Sequence, residues 1–339
     1  MKKAFFVIVA LIIGFFLFVS IIESIGLENV LNAIFSLSWL PFVLLLIIHM
    51  FFYFWGVLRW KYILKVIGEE VNWSKLFPPF LIGNTVSYLT PIVYFGGEPL
   101  RAYLLKQGQK VSWHKGVASI ALDKVFDLAF NWLVIVLGLF FFLRKISLSP
   151  LLLGLIIFVL LGLFFLLYLF FAKSLRKEGF FSFFVKLFRI DKIKSWDSEN
   201  SQFIQKVEYE ISNFFNWRRM DLWTTFILTL ARGLFYLLRA WFLIWALGYT
   251  LSFANLLIVV GLGLLIFLIP IPASLGSYEF SQSYIFYFLG LPMSMGVAFS
   301  LILRGVEILS VGLGLIFIFI LIIKGFSFKL KKITDKIVK

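Results

Sequence analysis

One uncharged stretch decides the fold: residues 240–278, AWFLIWALGYTLSFANLLIVVGLGLLIFLIPIPASLGSY. A helix needs only about 20 apolar residues to cross a membrane, so this stretch is too long for one crossing. Pro270 and Pro272 interrupt it, and proline breaks a helix because it lacks a backbone N–H and its ring clashes with the preceding turn. The loops at both ends of residues 253–290 are uncharged. We therefore predict that these residues form a re-entrant hairpin, which enters the membrane from the outside and returns there.

Residues 76–97 form a second uncharged stretch, which is broken by Pro78, Pro79 and Pro91. Basic residues lie on both sides of it, as is typical of cytoplasmic loops. This stretch is predicted to be a second re-entrant hairpin, which enters from the cytoplasm.

The composition of the whole chain agrees with a membrane location. Hydrophobic residues make up 62% of the 339 residues and charged residues 14%, whereas soluble domains hold about 45–50% and about 25%. This excludes a soluble enzyme and a disordered chain. The absence of cysteine excludes a disulfide scaffold and thiolate–metal chemistry. We predict a multi-pass protein of the cell membrane.

The net charge of +15 has a membrane explanation as well. The basic residues cluster at the ends of apolar runs, where a cytoplasmic face places them. There they attract anionic lipid headgroups, and no nucleic-acid partner is predicted.

Six apolar segments are predicted to cross the membrane fully in an all-α fold, with both termini in the cytoplasm. They are residues 4–22, 40–58, 116–143, 146–172, 222–247 and 295–323. No small-residue cleavage site follows the first segment, so it is interpreted as an anchor and not as a signal peptide. Arg59 follows the second segment and is assigned to a cytoplasmic loop. An amphipathic helix near residues 180–188 is expected to lie on the membrane surface.

The chain resembles itself at an offset of 180–181 positions. Pro91 and Glu98 match Pro272 and Glu279, with the same spacing in each pair. The span before the first pair runs inward and its counterpart runs outward, so the repeats are predicted to be inverted. Inverted repeats with broken helices are typical of secondary transporters.

The repeat divides the chain into five parts. They are a first transmembrane helix with an outer loop (1–38), repeat 1 (39–172), a cytoplasmic linker (173–221), repeat 2 (222–323) and a basic cytoplasmic tail (324–339). At the same offset Asp123 matches Arg304, and Asp127 lies one position from matching Glu307.

Ten charged residues lie in or beside apolar segments, where a charge costs roughly 2.5–3.5 kcal/mol or more at the bilayer centre. They are Glu98, Arg101, Asp123, Lys124, Asp127, Arg232, Arg239, Glu279, Arg304 and Glu307. One interpretation is that they form ion pairs that hold the helices together. The other is a ligand site, which is favoured because charges recur at both breaks, where unwound backbone offers free N–H and C=O groups.

The predicted substrate-binding residues combine these charges with the glycines at the breaks. They are Gly96, Gly97, Glu98, Arg101, Asp123, Asp127, Arg232, Arg239, Gly276, Glu279, Arg304 and Glu307. No catalytic residue, cofactor or metal site is predicted. Asp123 and Asp127 have a spacing that would suit Mg²⁺, but Lys124 lies between them and a second acidic cluster is lacking. His49 is interpreted as a packed polar residue.

Several of these motifs together resemble the lysylphosphatidylglycerol synthase transmembrane-region family. Residues 95–101, FGGEPLR, resemble its Gly-Gly-Glu-x-x-Arg signature, and residues 122–128, LDKVFDL, resemble its Glu-Arg-x-x-Asp segment. Residues 270–279, PIPASLGSYE, resemble its second break, and Arg304 resembles the arginine of its last span. The chain departs from the family where Asp and Lys replace Glu and Arg, and where residues 273–274, Ala-Ser, replace Gly-Gly.

The resemblance implies a flippase-like membrane protein. Family members joined to a synthetase domain are thought to move aminoacylated phosphatidylglycerol, but no such domain is expected here, and the chain is predicted not to be an enzyme. We expect it to move a phospholipid or other lipid-linked substrate between leaflets by alternating access. The arginines at 101, 232, 239 and 304 would bind its phosphate. The glutamates at 98 and 279 would bind a cationic group or carry protons.

Two alternatives remain open, namely a membrane-embedded transferase acting on lipid-linked substrates and a transporter of a small anion. The sequence also leaves open whether the chain forms a homo-oligomer.

Overall fold

The computed structural model describes residues 16, 19–90, 96–189, 197–216, 219–267, 271 and 274–337, and within these ranges it contains helices and no strand. Most of the first predicted span, residues 4–22, lies outside the described residues. So do Phe95, Ala273 and the prolines at 91, 270 and 272.

Residues 19–25 are helical, and longer helices follow. They are α1 (Leu27–Phe35), α2 (Trp39–Val66), α3 (Trp73–Leu89), α4 (Glu98–Gln109), α5 (Trp113–Leu143), α6 (Pro150–Leu175), α7 (Phe180–Leu187), α8 (Ser198–Asn216), α9 (Arg219–Ala246), α10 (Phe253–Ile266), α11 (Ser277–Phe288) and α12 (Met293–Ile337).

Within the described ranges, five helices are long and apolar enough to cross a membrane. They are Trp39–Val66, Trp113–Leu143, Pro150–Leu175, Met220–Ala246 and Met293–Ile323. These helices coincide with the five predicted spans that follow the first one. A short helix, α7, also forms where the amphipathic helix was expected.

Two details of the predicted segments are wrong. α2 does not end near residue 58 but continues to Val66, and Arg59 is a fully buried residue inside it and not part of a cytoplasmic loop. Pro78 and Pro79 do not break their segment, because α3 runs through both. The fixed φ of proline is helical, so each proline removes one hydrogen bond to the preceding turn without ending the helix here.

Two short helices flank each break, α3 and α4 at the first and α10 and α11 at the second. Each pair packs against long helices from both parts of the chain: α3 contacts α12, and α10 contacts α5. Gly138 of α5 and Gly261 of α10 allow the second of these contacts. A Cβ on Gly261 would lie 2.6 Å from the carbonyl oxygen of Val134, so the two backbones approach as closely as small residues permit.

α2 and α9 pack along each other and end in the same way. The N–H groups of Gly68 and Glu69 bond to the carbonyls of Lys65 and Leu64 at the end of α2, which is the Schellman pattern. At the end of α9, Gly248 and Tyr249 repeat these bonds to Trp245 and Ile244. Both glycines have a positive φ, 81° and 90°, which favours glycine because it has no Cβ.

Candidate functional site

A buried ion network joins α2, α4 and α5. The guanidinium of Arg59 donates to Oδ1 of Asp123 over 2.9 Å from Nε and 2.6 Å from Nη2. Nη2 of Arg101 donates to the other carboxylate oxygen of Asp123 over 3.1 Å. Arg101 also lies 4.1 Å above the ring of Trp60. All three charged residues are at most 1% exposed, so this part of the network has no room for a ligand.

A more open layer of ion pairs surrounds this network. Lys124 Nζ lies 2.7 Å from Oε1 of Glu98, and the other oxygen of Glu98 accepts from Arg101 over 3.2 Å. Nη1 of Arg232 donates to both oxygens of Asp127, over 2.6 and 2.5 Å. Asp127 keeps 21% of its side chain exposed, so these groups are accessible to a small polar ligand.

A second group of ion pairs lies between α2, α9, α11 and α12. Nε of Arg304 donates to Oε1 of Glu279 over 2.6 Å, and the N–H of Gly276 donates to the other oxygen over 2.8 Å. Nη2 of Arg239 lies 3.3 Å from Oε1 of Glu307. Nη1 of Arg239 donates to Nδ1 of His49 over 3.1 Å.

The two groups contain matching pairs. Lys124 with Glu98 corresponds to Arg304 with Glu279, because each pair joins the first turn of a short helix to the following long helix. The sequence comparison matched Asp123 with Arg304, whereas Lys124 is the residue whose contact with Glu98 resembles the contact of Arg304 with Glu279.

The two groups also contain a second pair of matching contacts. In each, an arginine of α2 or α9 contacts a carboxylate on a later long helix. Arg59 contacts Asp127 over 2.8 Å, and Arg239, 180 positions later, contacts Glu307 over 3.3 Å. Asp127 and Glu307 are also 180 positions apart.

A polar cavity of about 170 Å³ lies between the two groups of ion pairs. Its charged lining residues are Lys124, Asp127, Arg232, Arg239 and Glu307. A much larger groove of about 920 Å³ adjoins it. The cavity and the groove share Lys124, Asn131, Leu264 and Phe267 in their walls, so a polar compartment meets an apolar one.

The structure separates the arginines proposed for phosphate binding. Arg232 and Arg239 line the cavity, whereas Arg101 is not in its wall. Arg304 lines a smaller adjacent cavity together with Arg239 and Glu307. Arg101 contacts Asp123 and Glu98. It is therefore placed to hold these carboxylates and not to bind a ligand in this cavity.

The predicted glycines fix the breaks. A Cβ on Gly97 would overlap the carbonyl oxygen of Gly83, and one on Gly96 would overlap Thr90 Oγ1. The N–H of Gly97 donates to Ser87 Oγ over 2.9 Å. The positive φ of Gly276, 74°, turns its N–H toward Glu279. These backbones place both glutamates in the first turn of a helix, where the helix dipole stabilises a negative charge.

Two residues of the site were missed by sequence reasoning. Arg59 was assigned to a loop, although its offset of 180 positions from Arg239 marked it as equivalent to a predicted site residue. His49 is buried, as expected of a packed polar residue, but its ring also binds Arg239 and lines the cavity. Nothing in the sequence around His49 indicated that contact.

Within the described ranges, no group of three or more His, Asp or Glu side chains is arranged to hold a metal ion. Asp123 and Asp127, the spacing considered for Mg²⁺, both contact arginines instead.

Comparison with known proteins places the chain among membrane proteins of one family. The family model described as the lysylphosphatidylglycerol synthase TM region matches residues 6–314, which confirms the resemblance of the break motifs. A UPF0104 membrane protein of Methanocaldococcus jannaschii is 26% identical over 88% of this chain and 90% of its own length. A UPF0104 membrane protein of Methanothermobacter thermautotrophicus is 34% identical over 21% of each chain. No solved structure matches.

Proposed function

Because the chain belongs to the lysylphosphatidylglycerol synthase TM region family, we propose that this multi-pass membrane protein translocates a lipid with a charged, phosphate-containing headgroup between leaflets. One observation carries the proposal: a polar cavity lined by ion-paired side chains adjoins a larger apolar groove. A lipid has the same two parts. Its headgroup would occupy the cavity while its hydrocarbon tail remains in the groove.

The phosphate would bind the cations that line the cavity. Lys124, Arg232 and Arg239 line the cavity with 12%, 10% and 8% of their side chains exposed, and arginine binds phosphate through two parallel hydrogen bonds. The carboxylates of Asp127 and Glu307 hold these arginines in place when no ligand is bound. Their presence lowers the cost of keeping several cations within the membrane.

Alternating access would follow from an inverted repeat of α2–α5 and α9–α12. The helix boundaries support the repeat, since α2 spans Trp39–Val66 and α9 spans Arg219–Ala246, 180 positions later at both ends. α3 and α10, and α5 and α12, also begin 180 positions apart. α6 lies between α5 and α9, and as one additional crossing it would reverse the orientation of the second half.

The apolar groove favours a lipid over a small soluble anion. A transporter of a soluble anion needs a polar path on both sides of its site, whereas the groove wall consists mainly of Leu, Ile, Val and aromatic residues. The proposal is of a transport protein and not of an enzyme.

The proposal is tested in liposomes that contain a fluorescent phospholipid. We expect Arg232→Ala and Arg239→Ala to slow translocation at least tenfold, because each removes a phosphate ligand from the cavity. Arg144→Ala is the matched control, since Arg144 is exposed at the end of α5. Equal rates in all variants would overturn the proposal, and mass spectrometry of the lipid after incubation distinguishes translocation from a transferase reaction.

A further inference from the structure

The apolar groove is a well-defined compartment with one charged end. Its walls come from α4, α5, α6, α7, α8 and α10, and its volume of about 920 Å³ lies within the usual range of ligand pockets, roughly 300–1,000 Å³. The charged side chains among its lining residues are Glu98 and Lys124, which are paired with each other. Phe180, Phe181 and Phe184 of α7 line it as well.

The charged end limits which headgroup this groove accepts. Lys124 and Glu98 are only 12% and 13% exposed, and separating a buried ion pair leaves two uncompensated charges in a medium of low dielectric constant. A purely anionic headgroup that binds Lys124 would leave Oε1 of Glu98 without its cation. A headgroup with one anionic and one cationic group would replace both partners at once.

We infer that the groove is a binding site for a net-neutral amine phospholipid, with its tail among the apolar side chains and its headgroup inserted between Lys124 and Glu98. The phosphate accepts from Lys124 Nζ, and the ammonium group donates to Oε1 of Glu98. Arg101 continues to hold the other oxygen of Glu98, as it does without ligand. Lys124 and Glu98 therefore each keep the same number of ion pairs when the lipid replaces their contact with each other.

This inference deepens the proposed function because it names the lipid class at one end of the same cavity. Lys124 also lines the polar cavity, so a headgroup bound here has reached its entrance. The groove is built partly from α6, which follows the α2–α5 unit, and from α7 of the predicted linker. The linker would then belong to the substrate site.

The test is photolabelling of the full chain in vesicles with phosphatidylethanolamine that carries a diazirine in its tail. The comparison probe is phosphatidylglycerol with the same tail. We expect the ethanolamine lipid to label α5, α6 and α7 at least fivefold more strongly than the glycerol lipid. Equal labelling, or stronger labelling by the anionic probe, would overturn the inference.

Two leucines on α6 give a matched pair of variants. Leu163 lines the groove, whereas Leu161 is 61% exposed and is not among the lining residues. Leu163→Trp should reduce labelling of the groove at least fivefold, and Leu161→Trp should leave it unchanged. Glu98→Gln should abolish the preference for the amine lipid, because a neutral amide does not pair with an ammonium group. Comparable labelling in the two tryptophan variants would contradict the assignment, and if Leu163→Trp does not fold, the probe comparison on the native chain decides.

The photolabelling experiment and the liposome assay test the two proposals separately. Labelling of the groove without translocation in the liposome assay would retain this site and overturn the proposed function. Translocation without labelling of the groove would retain the proposed function and overturn this site.

Discussion

At the residue scale, the site divides into charges that hold the helices and charges that face the cavity. Arg59, Arg101 and Asp123 are almost completely buried and contact one another. Lys124 and Arg232 pair with Glu98 and Asp127 and line the polar cavity. The interpretation as ion pairs that hold the helices together therefore fits the buried residues, and the proposed ligand site is confined to the charges that line the cavity.

The buried carboxylate of Asp123 should matter for stability. Asp123→Asn keeps the shape of the side chain but leaves Arg59 and Arg101 without their shared anion. Removing one member of a buried ion pair costs about 3–5 kcal/mol, so we expect a clear fall in the thermal unfolding temperature in detergent micelles. Glu178→Gln is the control, because Glu178 is exposed and its pairing with Lys173 is screened by water. Similar shifts in both variants would contradict this division of the network.

The contact between Gly97 and Gly83 gives a second prediction at this scale. A methyl group on Gly97 would overlap a backbone carbonyl, which cannot move as a side chain can. Overpacking of this kind costs about 1–3 kcal/mol, so Gly97→Ala should unfold at a lower temperature than the native chain. Gly108→Ala on α4 is the control, since no atom lies within 4 Å of its added Cβ and alanine favours a helix. The prediction fails if the two variants are equally stable.

At the element scale, hydropathy located the helices but not their partners. Apolar runs predicted the α2, α5, α6, α9 and α12 segments, because the bilayer sets both their length and their apolar character. The groove was not predicted, since its wall combines residues from six helices and its apolar residues do not differ locally from lipid-facing ones.

The ends of α2 and α9 offer a direct test of their equivalence. Gly68→Ala and Gly248→Ala each force alanine into a left-handed conformation, which costs about 1–2 kcal/mol. We expect both variants to lose a similar amount of thermal stability. Gly154→Ala on α6 is the control, because Gly154 is helical and has open space around it. A large loss of thermal stability in one variant and none in the other would show that the two turns do not contribute equally to stability.

At the scale of the whole molecule, the matched ion pairs support the proposed alternating access. Each half contributes a glutamate at the start of a short helix and a cation on the next long helix. The halves are not identical, however. Arg232 has Phe52 as its counterpart 180 positions earlier, and the two side chains stack with 4.6 Å between the guanidinium carbon and the ring centre. The two conformations of such a molecule should therefore differ in energy.

Access to the cavity from both sides can be measured because the native chain has no cysteine, so an introduced thiol is unique. Asn131 lines both the groove and the polar cavity. We expect Asn131→Cys to react with a membrane-impermeant maleimide in vesicles of either orientation, since alternation exposes the cavity to each side in turn. Leu161→Cys, which lies 61% exposed on α6, should react from neither side if it faces lipid. Reaction of Asn131→Cys from one side alone, in a preparation that translocates lipid, would exclude alternating access through this cavity.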